Sequence, residues 1–389
     1  MKLCSTKNSV SVNRLRRFAL AGIAWILILG LPGAGGIWAG LPASVWSEFP
    51  PRHGAGVHAG FSRTVFLALA LLLATVGAGV VRRALRGGGQ PRETAVVVPA
   101  SRAFPAWGWV AVGWTLVAWF VAWTRLPVFA SVQHHTYIPV WFGAIAVVQA
   151  LLWRRTGRCL LTHRPGVLAG LACLSAVFWW GFEFLNRAAQ NWFYLNLEGF
   201  TPVAYAAFAT IAFSTVLPAV LGVHDLLATH PQWTAEFADW IRIRSSRPRL
   251  TGAGFAVAGA VGLFLLPVCP DALFPLLWLA PLALLCGLLA VAGEETLFDD
   301  LGRGDWRTLV RLSVAALVCG CFWEMWNMYS LARWVYDVPY VGRFHIFEMP
   351  VLGYAGYAPF GWECGAVAMI LGLWQPPNNP KKDEVNDEQ

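Results

Sequence analysis

Long blocks of apolar residues recur along this chain of 389 residues, and they constrain its fold more than any other feature. Each block holds roughly 18–23 residues, about what an α-helix needs to cross a hydrocarbon core of roughly 30 Å. Hydrophobic residues make up 57% of the sequence and charged residues only 13%, about half the usual share of a water-soluble protein. The sequence therefore predicts an all-α integral membrane protein.

Ten blocks, and thus about ten transmembrane helices, can be read from the sequence. Their approximate bounds are 18–40, 64–82, 104–124, 138–153, 166–184, 202–223, 252–268, 273–293, 309–326 and 350–374. Arginines before the first block resemble the start of a signal peptide. However, the apolar run is longer than usual, and no small-residue cleavage site closes it. We expect this first helix to be retained.

The distribution of basic residues predicts the orientation of these helices. With the amino terminus inside, six of the 29 Lys and Arg residues fall in outer segments: Arg52, Arg63, Arg125, Arg187, Arg333 and Arg343. The other 23 lie in cytoplasmic segments, as the positive-inside rule requires. Both termini are thus predicted to be cytoplasmic, in a multi-pass protein of the cell inner membrane. Because the net charge of +8 is spread over short loops, we expect no nucleic-acid partner.

Two parts of the sequence resemble each other at a nearly constant distance. The matched features are Glu183 and Asn186 with Glu324 and Asn327, Trp192-Phe193-Tyr194 with Trp334-Val335-Tyr336, and Leu126-Pro127-Val128 with Leu266-Pro267-Val268. The offset is 140 residues at the prolines, 141 at the Glu and Asn, and 142 at the aromatic segments. Each copy contains an even number of predicted helices, so both copies should face the same way across the membrane.

The sequence therefore predicts two parallel four-helix repeats after an N-terminal helical hairpin. The predicted segments are 1–103 with a cytoplasmic start and two helices, 104–223 as repeat one, 224–251 as a cytoplasmic amphipathic linker, 252–374 as repeat two, and 375–389 as a disordered cytoplasmic tail. In the linker, Trp233, Phe237 and Ile241 alternate with charged residues, which favours a helix lying in the membrane interface.

Both Glu-x-x-Asn pairs are predicted at the outer end of a helix, among many aromatic residues. A spacing of three places the carboxyl and the amide on one helix face. The candidate catalytic acids and bases are Glu183, Glu324, Glu348 and Glu363. The candidate substrate-binding residues are Asn186, Asn327, Trp180, Trp192, Trp323, Trp326, Trp334, Tyr336, Arg333 and His345. Since Trp and Tyr gather at membrane interfaces in any case, an ordinary aromatic belt is the alternative for the aromatic residues.

Glu363 differs from the other acids because the predicted last helix places it near the middle of the bilayer. The free energy of inserting a charged carboxylate at this depth is unfavourable by about 2.5–3.5 kcal/mol, so Glu363 should face the protein interior. It is interpreted either as a proton donor to a buried ligand or as a structural hydrogen bond between helices. The sequence further predicts that Glu324, Asn327 and Glu363 converge on one cavity open toward the outer leaflet.

The second copy resembles the membrane-embedded lycopene-cyclase-type domain. The likeness is carried by Trp323-Glu324, Asn327, Trp334-Val335-Tyr336 and Phe347-Glu348-Met349-Pro350. It implies that Glu324 and Glu348, and by the repeat Glu183, use their carboxyl groups to protonate and cyclise an isoprenoid without a redox cofactor. The sequence departs from the family pattern at Glu348-Met349-Pro350, which reverses a Pro-x-Glu-Glu motif and keeps one acid instead of two.

These observations favour a membrane-embedded enzyme that acts on a membrane lipid or isoprenoid by glutamate acid–base chemistry. Aromatic faces suit this chemistry because they stabilise a developing carbocation. No metal and no cofactor is expected, since His134-His135 lacks a third ligand and the eight cysteines form no CxxC motif. The alternatives are a transporter or lipid-binding protein without catalysis, whose halves hold a solute between them, and a structural membrane scaffold.

Overall fold

A computed structural model of the protein describes residues 3–51, 58–86 and 102–376, and these are mostly helical. The α-helices are α1 (Leu3–Trp38), α2 (Ser44–Ser47), α3 (Arg63–Ala84), α4 (Ala106–Trp123), α5 (Tyr137–Thr156), α6 (Leu160–His163), α7 (Pro165–Ala189), α8 (Pro202–Phe213), α9 (Val216–Ala228), α10 (Pro248–Leu265), α11 (Pro270–Leu273), α12 (Leu276–Ala292), α13 (Arg307–Met328) and α14 (Tyr357–Ile370). The strands are β1 (Trp192–Leu195), β2 (Arg333–Tyr336), β3 (His345–Ile346) and β4 (Met349–Pro350). Most of the predicted tail lies outside the described residues.

Within the described residues, eight helical stretches are long and apolar enough to cross a membrane. They are Leu15–Trp38, Arg63–Ala84, Ala106–Trp123, Tyr137–Thr156, Pro165–Ala189, Pro202–Ala228, Pro248–Leu265 and Arg307–Met328. The prediction of a mostly helical, multi-pass membrane protein is therefore confirmed.

The other two predicted spans form shorter helices. Helix α12 has 17 residues, and α14 has 14. A 3-10 segment, Val351–Gly356, precedes α14, and it begins directly after Pro350, which cannot continue a regular hydrogen-bond pattern. The predicted block at 350–374 is therefore only partly α-helical.

Contacts at the two ends of α3 join loops that are distant in the sequence. At one end of the molecule the backbone N–H of Ser62 donates to the carbonyl of Tyr340 at 2.9 Å. At the other end Arg83 donates to the carbonyls of Glu236 and Asp239, at 2.6 and 2.7 Å. Helix α3 runs between these two ends. The contacts join loops that the charge distribution assigns to the same side.

Labelling of introduced cysteines tests which side is outside. In a variant without the native cysteines, we expect Cys at position 62 to react with an impermeant thiol reagent on intact cells. Cys at position 246 should react only after the cells are permeabilised, because the basic loop that contains it is predicted to be cytoplasmic. Equal labelling of the Ser62→Cys and Ser246→Cys variants would contradict the predicted orientation.

The linker 224–251 does not form the expected interfacial α-helix. It contains a 3-10 helix over Pro231–Ala238 and then irregular chain. Backbone groups of the linker form hydrogen bonds to another loop instead. The N–H of Trp306 donates to the Phe237 carbonyl at 2.8 Å, and the N–H of Trp240 donates to the Gly304 carbonyl. These bonds to the loop before α13 compete with helical bonds. Phe237 is consequently buried, whereas Trp233 stays exposed.

Candidate functional site

Each Glu-x-x-Asn pair lies near the end of a helix that leads into a short strand. At the end of α7, Asn186 Nδ2 donates to the Trp192 carbonyl at 2.8 Å, and its Oδ1 accepts the N–H of Asn191 at 2.8 Å. At the end of α13, Asn327 Nδ2 donates to the Trp334 carbonyl at 2.7 Å, and its Oδ1 accepts the N–H of the same residue at 2.9 Å. At both junctions a buried amide therefore fixes the strand against the helix.

The two glutamates lie one turn earlier on the same helix faces, and each accepts a tyrosine hydroxyl from its strand. Tyr194 donates to Glu183 Oε1 at 2.6 Å, and Tyr336 donates to Glu324 Oε1 at 2.7 Å. Residues three apart share a helix face, and residues two apart share a strand face. When Asn bonds the backbone of Trp, Glu is therefore positioned to accept the hydroxyl of Tyr. These two bonds explain why the Glu-x-x-Asn and Trp-x-Tyr spacings occur together.

The strands that follow the two helices pair with each other, which the sequence did not predict. β1 and β2 are antiparallel, with Trp192 opposite Tyr336 and Tyr194 opposite Trp334. This pairing brings the ends of α7 and α13 to the same end of the molecule. The two Glu–Asn clusters therefore lie side by side, one on each side of the strand pair.

Glu183 is held by several donors. Besides the Tyr194 hydroxyl, its Oε1 accepts the indole N–H groups of Trp179 and Trp192, both at 3.1 Å. The side chain is 3% exposed. Three donors on one oxygen suit a carboxyl group with a fixed position, because N–H and O–H donors compensate for its removal from water.

Glu324 has fewer donors and one unused oxygen. Its Oε1 accepts the hydroxyls of Tyr336 and Tyr357, the second at 3.1 Å, whereas its buried Oε2 has no partner among the described residues. The indole N–H of Trp334 donates to the Tyr336 oxygen at 2.9 Å, so the Tyr336 hydrogen is directed to Glu324. Burial and the nearby Glu324 carboxyl raise the pKa of Tyr336 well above its usual value, so Tyr336 remains a donor.

Glycine in α13 allows Tyr357 to reach Glu324. A Cβ at Gly320, one turn before Glu324, would clash with the Tyr357 ring. The ring packs directly on the helix backbone at this point. Any larger residue at position 320 would displace the tyrosine from the carboxyl group.

The clusters adjoin a cavity of about 490 Å³ whose wall is mostly aromatic and aliphatic. Its aromatic lining comes from both halves of the chain: Tyr137, Trp179, Trp192, Tyr194, Phe200, Tyr205, Phe208, Phe213, Phe274, Trp278, Trp323, Trp334, Tyr336, Tyr357 and Phe360. The charged residues in the wall are Glu324 and Arg333. Arg333 is 2.7 Å from Glu348 and also donates to the Met328 carbonyl, so its charge is already paired. Glu324 is therefore the acid that a ligand in this cavity can meet.

Helix α3 forms part of one side of the cavity wall. Leu69 and Leu73 of this helix line the cavity, yet α3 has no buried residue along its whole length. The helix is held mainly at its two ends, as described above. The side of the cavity behind α3 thus borders the region where lipid is expected.

The structure places six of the residues predicted from the sequence in the cavity wall: Glu324, Trp192, Trp323, Trp334, Tyr336 and Arg333. The others do not line it: Glu183, Asn186, Asn327, Trp180, Trp326, Glu348, His345 and Glu363. Glu183 and the two asparagines hold wall residues from behind. Trp180 instead donates to Thr210 Oγ1 at 3.0 Å, and Trp326 packs against Trp141. His345 is exposed in β3.

The expected convergence of Glu324, Asn327 and Glu363 on one cavity is not observed. Glu363 is buried beside Leu282 and Cys286 of α12. It lies six residues after Tyr357, and this spacing places the two side chains on different faces of α14. Tyr357 faces Glu324, so Glu363 faces away from it.

Sequence reasoning missed several residues of the wall. Tyr194 could have been found, because it ends the segment Trp192-Phe193-Tyr194, which resembles Trp334-Val335-Tyr336 in sequence. Tyr357 and Phe360 carry a weaker signal, an aromatic spacing of three in the last helix. Nothing in the sequence singled out Tyr137 or Trp278, because their roles arise only from helix packing.

Comparison with known proteins leaves the site to be interpreted from its own chemistry. No protein-family model, no curated protein and no solved structure matches this chain. A function has to be inferred from specific residues and their geometry, since fold alone does not determine activity.

Proposed function

We propose that the protein is a membrane-embedded enzyme that acts on a neutral lipid or isoprenoid, with Glu324 as its catalytic acid and base. The observation that carries this proposal is a buried carboxyl group in the wall of an aromatic cavity, with one oxygen bonded and the other unpartnered. A buried polar atom without a partner is costly, so such atoms call for a ligand or a chemical role.

The hydrogen bonds determine which oxygen of Glu324 can carry a proton toward a ligand. Tyr336 and Tyr357 both donate to Oε1, so a proton on that oxygen would have no acceptor beside it. The proton of a neutral Glu324 therefore belongs on Oε2. When it leaves, the two hydroxyls already donate to Oε1, which shares the negative charge of the carboxylate, and no reorganisation is needed.

This arrangement supports proton-initiated rearrangement of a carbon–carbon double bond. The Oε2–H proton adds to one alkene carbon, and the π electron pair forms the new C–H bond, which leaves a carbocation. The faces of Trp323, Trp192 and Trp278 stabilise that cation. After the carbon skeleton rearranges, the carboxylate removes a proton from a neighbouring carbon and a new double bond forms. The net reaction is an isomerisation or cyclisation and needs no oxidant or reductant.

The wall also favours a ligand without a phosphate group. In the described part of the wall, Arg333 is the cation, and Glu348 already neutralises it. A phosphate or diphosphate would therefore be buried without a free positive charge, which is costly. A hydrocarbon or a lipid with a single oxygen function suits this surface better.

The proposal also includes the architecture that the sequence predicts. We propose that the chain contains two parallel four-helix repeats after an N-terminal hairpin, about ten spans in all, with both termini in the cytoplasm of a cell with an inner membrane. The matching Asn–Trp and Glu–Tyr bonds of the two copies support the duplication. The resemblance to the lycopene-cyclase-type domain supports carboxyl-driven chemistry on an isoprenoid.

Mass spectrometry of molecules that co-purify with the protein tests this proposal. We expect one neutral lipid or isoprenoid to be enriched over the bulk membrane lipids. Gly356 lines the cavity, and a Cβ added there meets no atom within 4 Å, so Gly356→Trp should fill the cavity and remove the enriched molecule.

Gly254 on α10 provides the matched control, because it is equally unobstructed but does not line the cavity. The Gly254→Trp variant should retain the enriched molecule. A water-soluble solute in place of a lipid would favour the transporter interpretation. Equal enrichment in both variants would contradict the assignment of the cavity.

A further inference from the structure

A second, smaller hollow lies at the other end of the molecule, where α5 and α9 end. It has a volume of about 300 Å³ and is lined by Leu151, Arg154, Arg155, Leu226, Leu227, His230 and Trp233. None of these residues lines the aromatic cavity. The charge distribution of the sequence assigns this end to the cytoplasm. The hollow combines two arginines with aliphatic side chains, whereas the single arginine in the wall of the first cavity is paired with Glu348.

The two arginines of this hollow have no acidic partner among the described residues. Arg155 Nη2 donates to the Thr229 carbonyl at 3.1 Å, but its Nε is buried and unpartnered. Arg154 is exposed at the rim. A buried guanidinium N–H without an acceptor is costly, and it indicates an acceptor from outside the chain. Charged oxygens are the strongest acceptors for such a group.

The rest of the lining determines what kind of anion would fit. Trp233 is 65% exposed, and its ring stacks on His230 at 5.6 Å. An exposed tryptophan at this level is typical of the lipid head-group region. Burial and the charge of Arg155 lower the pKa of His230, so the imidazole is neutral at pH 7 and the positive charge comes from the arginines.

Neighbouring structure adds a third arginine at the same end. The backbone N–H of Arg102 donates to the Arg154 carbonyl at 2.9 Å, and its guanidinium lies over the Trp153 ring. The carboxyl ends of α5 and α9 disfavour the binding of an anion, because their free carbonyls carry partial negative charge. Full positive charges on Arg102, Arg154 and Arg155 outweigh these partial charges.

We propose that this hollow binds the phosphate of an anionic membrane phospholipid. Arg154 and Arg155 would hold the phosphate oxygens, and the acyl chains would follow Leu151, Leu226 and Leu227 into the membrane. Trp233 would lie at the level of the glycerol backbone. Basic pockets between helices on the cytoplasmic side are a known way to recognise such head groups. Free phosphate offers the same kind of charged oxygens, but it makes no use of the leucines.

Native mass spectrometry of the full chain from nanodiscs tests the proposal. We expect the protein released from phosphatidylglycerol nanodiscs to retain lipid about tenfold better than from phosphatidylcholine nanodiscs. The Arg154→Gln, Arg155→Gln double variant should retain both lipids equally. The single variant Arg154→Gln changes an exposed, unpaired residue, so it keeps the fold intact and should lose part of the preference.

The double variant Arg242→Gln, Arg244→Gln is the charge-matched control, because both residues are exposed on the same side and outside the hollow. Its preference for phosphatidylglycerol should remain. Equal loss in this control would show diffuse attraction of a basic surface and overturn the site. Displacement of the lipid by millimolar inorganic phosphate would identify free phosphate as the occupant and also overturn it.

Discussion

Replacing Glu324 by glutamine should lower turnover of the enriched lipid by about 10²–10⁴-fold while the protein still binds it. Glutamine keeps the size of the side chain, and its amide oxygen can still accept the hydroxyls of Tyr336 and Tyr357. It cannot release a proton and take it back. The measurement is conversion of the co-purified lipid by the purified variant in vesicles, with lipid content determined in parallel.

Glu198 provides the matched control for this substitution. It is an exposed glutamate at the same end of the molecule and does not line the cavity. Glu198→Gln should therefore convert the lipid at the unaltered rate. Full activity of Glu324→Gln would exclude the acid role. Loss of binding together with activity would instead point to a carboxyl group that only recognises the ligand.

Asn327→Ala should lower the free energy of unfolding by about 2–5 kcal/mol. The amide of Asn327 serves both the N–H and the carbonyl of Trp334, and the asparagine is 1% exposed. Without it the N–H and the carbonyl of Trp334 both lose their partner, and water has little access to the buried position of the amide. Unfolding in mixed micelles, followed by tryptophan fluorescence, measures the change. Asn186→Ala should lower the free energy of unfolding by a similar amount.

Asn196 is a suitable comparison because its amide also bonds to a backbone carbonyl, that of Leu331 at 2.8 Å, but it is exposed. Its φ of 60° is left-handed, so Asn196→Gly removes the side chain without straining the backbone. This variant should lower the free energy of unfolding by less than about 1.5 kcal/mol, the net contribution of an ordinary hydrogen bond. A similar small loss for Asn327→Ala would mean that the helix–strand junction does not depend on the amide.

The membrane class was predictable because it depends on composition and on the length of apolar blocks, which need no tertiary contacts. The spacing of Glu324, Asn327, Trp334 and Tyr336 was visible as a pattern, but its physical basis was not. That basis is a strand folded back on the end of a helix, and four-residue strands leave almost no periodic signal. The same limit hid the pairing of β1 with β2.

The division of roles among the acids could not be read from the sequence. Glu183 and Glu324 have nearly identical surroundings in the chain, yet of the two only Glu324 lies in the cavity wall and has an oxygen that is both buried and unpartnered among the described residues. The difference arises from Tyr357, which comes from another helix, and from Trp192, whose indole bonds Glu183 directly. Glu363 was expected at the same site because depth in the bilayer can be estimated from sequence, whereas its direction around α14 depends on packing.

Each tryptophan of the β1–β2 pair lies opposite the tyrosine of the other strand: Trp192 opposite Tyr336, and Trp334 opposite Tyr194. A strand that paired with a second copy of itself about a two-fold axis would show this same exchange, which is an isologous contact. The strand pair thus places the Glu183 and Glu324 clusters in the relation that an isologous contact between two copies of one unit would give.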